Sequence, residues 1–376
     1  MCIRDSYMEA QMMINDVGIV SIGVSIPFLR LPVEQTISVW KNNSLEFIKN
    51  VINVSRRTVI SSDEDVLTMS AESSKRALEK ASVSSDNLDA ILLGSCTVPD
   101  LFRSNANQVM TFLNGENKQY TGFDIKSAED SGVAALLTGI SFLKSDMYKE
   151  VLCIGSDTLN RHIFPSELRE PYMGAGSAAC VLGVGRNVIA SVIGYGHSND
   201  TFLEQARPED ERFIRITAPL NSDVINKGLV TRCKESISLA LKEAKLNRSE
   251  IDYVALPHSG NPSLQHLVQI SNITQGWDSK SVFTKDTGDI GSATPLVSLS
   301  LALDKAKVSD KILVCGYGHS SGSTSIIFKV TDAIKEYQRV SDTRRIIQHY
   351  KDINYDEAMK YEFKYVQPEI ALGTFI

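Results

Sequence analysis

The sequence predicts an α/β fold made of two duplicated halves, and three observations carry that prediction. First, residues 77–90 (ALEKASVSSDNLDA) and 240–253 (ALKEAKLNRSEIDY) share one pattern, 163 positions apart. Each reads as a helix end, a polar linker and an acid or tyrosine leading into an apolar strand. Second, 150–155 (EVLCIG) and 311–316 (KILVCG) repeat at a spacing of 161. Two separate pairs at nearly one spacing favour duplication over a chance likeness of αβ units. Third, strand-like and helix-like segments alternate along the chain, which implies mostly parallel sheets covered by helices. The halves are placed at 17–187 and 188–376, with functional groups expected where they meet. Residues 1–16 lack both periodicity and the basic-then-apolar pattern of a signal peptide. They are read as a disordered extension or an artefact of the start site.

The elements follow in order. The β-branched run 17–27 is a first strand, and 33–42 has helical spacing. Asp63, Glu64 and Asp65 open a helix that runs to about Lys80, since carboxylates are favoured at the positive end of a helix dipole. A strand at 91–94 and a loop at 95–105 precede a helix at 105–113, a strand at 120–125 and a helix at 132–144. Strands at 151–155, 178–182 and 189–192 close the first half. The second half repeats the order: helix 227–244, strand 253–256, helices 262–270 and 294–306, strands 311–315 and 325–330. The polar, acidic loop 199–212 is the expected mobile connection.

Composition narrows the function. Apolar residues make up 43% and charged residues 22% of the 376, as in ordinary globular proteins. The net charge of −6 and the lack of a basic run argue against nucleic-acid binding. No apolar stretch approaches the roughly 20 residues that span a bilayer. The six cysteines form neither CxxC pairs nor zinc-ligand spacings, so no metal is expected. Cys153 and Cys315 are read as buried small hydrophobes, and a reducing cytoplasm is the expected setting.

Three turns carry candidate chemistry. Phe123-Asp-Ile-Lys-Ser-Ala-Glu-Asp-Ser-Gly132 is a strand, a tight turn and a helix start, where backbone N–H groups and the dipole favour an anion. A thiolate there would be activated; the residue present is Glu129. Ala255-Leu-Pro-His-Ser-Gly-Asn261 places His258 at a strand end, either as a structural histidine or as an acid, base or oxyanion donor. Asp286-Thr-Gly-Asp-Ile-Gly-Ser-Ala-Thr-Pro295 is a third turn into a helix.

With Gly174-Ala-Gly-Ser-Ala-Ala179 and the glycine loop Gly316-Tyr-Gly-His-Ser-Ser-Gly322, these segments resemble the thiolase-fold condensing enzymes, in the branch of ketoacyl synthase III and hydroxymethylglutaryl-CoA synthase. Pro257-His258 with Asn261 resembles the PHxxN motif of that family. Within the branch, Ser38-Val-Trp-Lys-Asn42, Leu93-Gly-Ser-Cys-Thr97, Asp157-Thr-Leu-Asn-Arg161, Tyr172-Met-Gly-Ala-Gly176 and Thr331-Asp-Ala-Ile-Lys-Glu-Tyr337 resemble the PhlA-type subunits of diacetylphloroglucinol acetyltransferase. The resemblance implies a five-layer αβαβα fold, a homodimer, no bound cofactor, and acyl-CoA or acyl-carrier thioesters as substrates. It further implies a complex with a cysteine-bearing thiolase-like protein and an OB-fold protein.

Departures from the pattern bear on mechanism. The family cysteine is Glu129 here, and the glutamate base of hydroxymethylglutaryl-CoA synthase is Cys96. The third-turn asparagine is Asp286, or Asp289 with a different gap. Only His258 is retained. Glutamate cannot replace cysteine as acyl carrier, because an acyl anhydride is far more labile than a thioester. The chain is therefore expected to support C–C bond formation or acetyl transfer inside a complex, its own site vestigial and Glu129 capping a dipole. Two alternatives are a stand-alone condensing or decarboxylating enzyme using Glu129 and His258, and a non-catalytic scaffold for the OB-fold partner. Cys96 is either a substitute nucleophile or a packed residue. Arg30, Arg103, Arg161 and Arg215 are candidates for a CoA phosphate. Among the remaining histidines, His319 is the one expected near the pocket. The aromatic tail 355–375 is either a docking arm or packs on its own domain.

Overall fold

The computed structural model describes residues 16–185, 187–201, 203–217, 226–257 and 283–365. The expected 262–270 helix and the extension before Asp16 lie outside these residues. The strands are β1 (Val17–Ser25), β2 (Leu29–Pro32), β3 (Arg56–Val59), β4 (Ala90–Gly94), β5 (Thr121–Ile125), β6 (Val151–Thr158), β7 (Ala175–Val184), β8 (Ala190–Asn199), β9 (Gln205–Ala206), β10 (Arg215–Ile216), β11 (Tyr253–Ala255), β12 (Lys311–Cys315), β13 (Gly322–Val330) and β14 (Lys351–Asp352). The α-helices are α1 (Val33–Trp40), α2 (Val66–Ala81), α3 (Asn105–Phe112), α4 (Ser131–Lys144), α5 (Thr231–Ala244), α6 (Thr284–Thr287), α7 (Thr294–Leu303), α8 (Ile334–Val340), α9 (Thr343–Gln348) and α10 (Tyr355–Tyr361).

Nine strands form one large sheet in the order β11-β12-β13-β8-β1-β7-β6-β4-β5. The order β4-β6-β7-β1 in the first half is matched by β11-β12-β13-β8 in the second. Orientations match as well. β4 runs parallel to β6, and β11 to β12, while β7 and β13 run antiparallel to their neighbours. The halves join where Gly18 and Ile19 of β1 face Ser191 and Ala190 of β8.

Helices α4 and α7 share one core with strands of both halves, and so form the middle layer. Their sequences explain the placement. Every residue of α7 but Ser298 is buried, and α4 presents Val133, Ala135, Leu136, Ile140 and Leu143 to the core; helices apolar on most sides belong inside. Outer helices α2 and α3 cover the first half, and α5 covers the second. Helix α2 begins at Val66, later than its acidic run suggested. Asp65 accepts from the Thr68 N–H at 2.8 Å while Thr68 Oγ1 accepts from the Asp65 N–H at 2.9 Å, a reciprocal cap that stops the helix there.

Strands β7 and β8 are each about twice their expected length, since small and polar residues hide them. Register against β1, β6 and β13 imposes the strand on Ala175-Gly-Ser177 and on Tyr195-Gly-His-Ser-Asn199, a case of tertiary pairing overriding local preference. The 199–212 loop is also no free connection. Its Glu204 is buried, accepting from Tyr317 Oη at 2.7 Å and the Ser320 N–H at 3.2 Å, and β9 pairs with β10.

Residues 355–365 pack on the chain's own first half. Leu31 and Val59 share a cluster with Tyr355, Ala358 and Met359. Arg57 and Glu362 form a fully buried ion pair, with Lys364 Nζ 2.9 Å from Glu362. No helix of the described residues is long and apolar enough to cross a membrane.

Candidate functional site

Parallel strands place their carboxyl ends together, and the candidate residues collect there. β4 ends in Ser95-Cys96-Thr97, β5 runs into the turn at 126–130 that starts α4, and β6 ends near Asp157. A cavity of about 230 Å³ lies between these ends and the 316–322 loop. Cys96, Lys126, Glu129, Arg207 and His319 are among its lining residues. The structure thus brings Cys96 and Glu129 together.

The turn is held tightly. Ala128 takes a left-handed conformation, φ 47°, which costs a non-glycine residue roughly 1–2 kcal/mol. Ser131 Oγ spans the turn, accepting from the Ser127 N–H at 2.7 Å and donating to the Ala128 carbonyl at 2.6 Å. Gly318 packs so closely that a Cβ on it would lie 2.2 Å from the Ser127 carbonyl oxygen. That contact requires glycine and sets the closing loop over the turn.

Glu129 turns toward the loop and leaves the cavity open. Its Oε2 accepts from the His319 backbone N–H at 3.1 Å. The imidazole Nδ1 is also 3.1 Å from Oε2, close enough for an ion pair though out of line for a hydrogen bond. The Glu129 side chain is 12% exposed and that of His319 27%. Burial alone would raise the Glu129 pKa; the charge of His319 and the bond from its backbone N–H outweigh it and bring the group down to about 2. For His319, burial pulls the pKa down but Glu129 beside it wins, leaving it above the ordinary 6.5. Each group thus favours the charged form of the other. Tyr317 stacks edge-on against His319 at 5.3 Å and donates to Glu204.

The next residue behaves in the opposite way. Asp130 points inward, bonds Thr324 Oγ1 at 2.7 Å, and is pushed by burial well above the usual carboxylate range. Adjacent acids are thus driven in opposite directions by their surroundings, one lowered and one raised.

Asp157, which residue patterning did not single out, organises the site. It is fully buried, and burial raises its pKa. Its Oδ1 accepts from Ser95 Oγ at 2.9 Å, the Cys96 N–H at 2.9 Å, Thr97 Oγ1 at 2.7 Å and Cys96 Sγ at 3.4 Å. Its Oδ2 accepts from the Ser292 N–H at 2.8 Å, tying the third turn to the Cys96 turn. The only trace in the sequence is an acid directly after a buried apolar strand. Lys126, Glu204 and Arg207 were also missed, because exposed-looking loops gave no reason to converge them. Burial, then Asp157 and Glu129, push the Cys96 thiol well above the ordinary range.

Other candidates fall elsewhere. Asp286 sits on α6, half-exposed, 3.0 Å from Arg56 Nη1, and does not line the cavity. Asp289 is buried in the third turn, accepting from the Gly291 N–H and Thr294 Oγ1. His258 lies outside the described residues. Arg30 is fully buried against carbonyl oxygens and cannot reach a phosphate from there. Arg103 and Arg215 pair with Asp100 and Glu211, and Arg161 stacks on Phe363. Among the described residues no group of His, Cys, Asp and Glu converges to hold a metal ion.

Comparison with known proteins bears on the fold and on the first half of the chain. Residues 13–187 match the family described as hydroxymethylglutaryl-coenzyme A synthase N terminal. The hydroxymethylglutaryl-CoA synthase of Archaeoglobus fulgidus is 27% identical over 356 residues, covering 93% of this chain and 99% of that protein. Among solved structures, 3-oxoacyl-[acyl-carrier-protein] synthase III from Aquifex aeolicus superposes with a TM-score of 0.74 at 23% identity, covering 83% of this chain and 99% of that one. MvaS in complex with 3-hydroxy-3-methylglutaryl coenzyme A superposes at 0.78 and 16% identity, covering 94% of each. The chain therefore has the mixed α/β, thiolase-like fold of the ketoacyl synthase III and hydroxymethylglutaryl-CoA synthase structures, and its first half matches the hydroxymethylglutaryl-CoA synthase N-terminal family.

Proposed function

We propose that this chain handles acyl thioesters, carried on CoA or an acyl-carrier protein, as the hydroxymethylglutaryl-CoA synthase-like, PhlA-type subunit of an acyltransferase complex. A cysteine-bearing thiolase-like partner supplies the condensing thiol, and an OB-fold protein completes the assembly. The single observation behind this reading is an acid, Glu129, at the turn beside an open cavity, committed to an ion pair with His319. A carboxylate so engaged is not an acyl carrier. The matched family and the similar structures, whose names refer to CoA and acyl-carrier substrates, support the substrate class. No cofactor beyond the thioester's own carrier is proposed. A homodimer is proposed through β5, an outermost strand with exposed Phe123, since unpaired strand edges invite pairing. Five free cysteines among the described residues suit a reducing, cytoplasmic setting.

The cavity also favours a second reading, a stand-alone condensing or decarboxylating enzyme on acyl thioesters that uses Glu129 and His258. Co-expression with the thiolase-like and OB-fold proteins, size-exclusion chromatography and an acyl-transfer assay with and without this chain separate the two. Complex activity that requires this chain and survives Glu129→Ala supports the subunit. Activity of this chain alone, abolished by Glu129→Ala, replaces that reading with the second.

A further inference from the structure

We infer that Cys96 is the acyl-accepting nucleophile of this cavity, with Asp157 as proton acceptor and His319 as proton donor. The inference rests on the acyl-thioester reading above and adds to it a covalent step on this chain.

Four of the five described cysteines are fully buried; Cys96 alone is partly open, and it opens onto the cavity. Its position is fixed from two sides. Asp157 Oδ1 holds its N–H and its Sγ, and its flank packs on Leu159, Ile163 and Met173. Cys96 and His319 thus line one cavity, and the buried Asp157 carboxylate lies behind Cys96, 3.4 Å from its Sγ. A nucleophile beside a base, with an acid across the substrate's position, is the arrangement acyl transfer needs. Glu129 has a defined part in it, since its charge, 3.1 Å from the imidazole Nδ1, favours the protonated form of His319. Glu129 therefore acts as a positioning and charge-setting residue.

The resting thiol is protonated, because burial and two carboxylates oppose the thiolate. Attack must then be base-assisted. The Sγ proton passes to Asp157 Oδ1, whose raised pKa makes it a better acceptor than an ordinary aspartate. A bond forms between Sγ and the acyl carbon while the bond from that carbon to the donor sulfur breaks. The departing thiolate takes the His319 proton. The products are a Cys96 thioester and a free carrier thiol, with no net oxidation. Asp157 has gained one proton and His319 has lost one; His319, which lines the cavity, regains its proton from water there, and Asp157 returns its own to Sγ when the acyl group leaves Cys96. One thioester replaces another, so the step needs no further energy source.

The test incubates the purified full chain with acetyl-CoA, and in parallel with an acetylated acyl-carrier protein, followed by tryptic mass spectrometry. Cleavage after Lys80 and Arg103 isolates residues 81–103, in which Cys96 is the one cysteine. The expected result is an acetyl increment on this peptide from at least one donor, released by neutral hydroxylamine and absent in Cys96→Ala. The more active donor arm identifies the carrier. His319→Gln is expected to slow acetylation on the order of 10²-fold, with the rate recovering toward low pH if an outside acid replaces the imidazolium. A chain that binds acetyl-CoA by calorimetry yet shows no increment on 81–103 overturns the inference and leaves the acyl-thioester reading standing. So does label that persists in Cys96→Ala. An unchanged rate in His319→Gln overturns the proton-donor assignment. Failure to bind either thioester overturns both readings.

Discussion

At the residue scale, the site is governed by what each acid is paired with. Glu129 is held at about 2, below its ordinary 4.5, so the stability it contributes is complete above about pH 4.5 and is lost as pH falls toward 2. His319 is raised above 6.5, so its contribution is complete below 6.5 and is lost as pH rises through its folded value. The pair stabilises the fold most between those ordinary values. Urea unfolding of Glu129→Gln should show its deficit chiefly in that window and converge with wild type at either extreme. In the same variant the His319 pKa should fall, since burial is then opposed by Glu204 alone; NMR titration reads this directly. Asp157→Ala is expected to cost on the order of 3 kcal/mol, measured by denaturant midpoint, because it strands buried donors from two turns.

Between elements, the decisive contacts are those where backbones touch. Gly132, in the first turn of α4, has the Ser292 carbonyl oxygen 2.2 Å from where a Cβ would be. Gly132→Ala should therefore push α4 away from the third turn and lower stability by about 1–3 kcal/mol, with chemical denaturation as the check. α10 depends on a different contact. Glu362 follows it directly, and although burial opposes its charge, Arg57 and Lys364 keep it below the ordinary carboxylate range. Glu362→Ala leaves Arg57 buried without its main counter-ion and is expected to cost about 3–5 kcal/mol. Thermal unfolding would show the loss, and Glu362→Gln should recover part of it.

For the whole molecule, the middle layer binds the halves into one unit. Residues of α4 and α7 belong to a single cluster with β1, β6, β7, β12 and β13, so neither half can bury its inner face alone. Expressed separately, residues 17–187 should keep far-UV circular dichroism and lose near-UV signal, the signature of secondary structure without fixed packing. A cooperative transition for that fragment would contradict the shared core.

The periodicity of apolar residues and the doubled spacing were enough to derive an α/β duplication, because burial of one helix face or strand leaves a local trace in sequence. Glu129 and Cys96 were singled out for a related reason: each lies in a turn after a strand. What sequence could not convey were non-local facts. Strands β7 and β8 are strands because neighbours pair with them, and their own composition says little. Asp286 and Asp289 are three residues apart and alike in sequence. One meets Arg56 at the surface, while the other is buried in a turn. His319 was expected near the pocket from its glycine loop, but Asp157 and Glu204 reach the neighbouring turns from separate segments, through contacts that no local pattern encodes. Charge state followed the same rule. Glu129 and Asp130 are neighbours in sequence, yet one lies beside an imidazole and the other in an apolar interior. Chain identity placed two acids at the turn; only the tertiary surroundings decided which pKa falls and which rises.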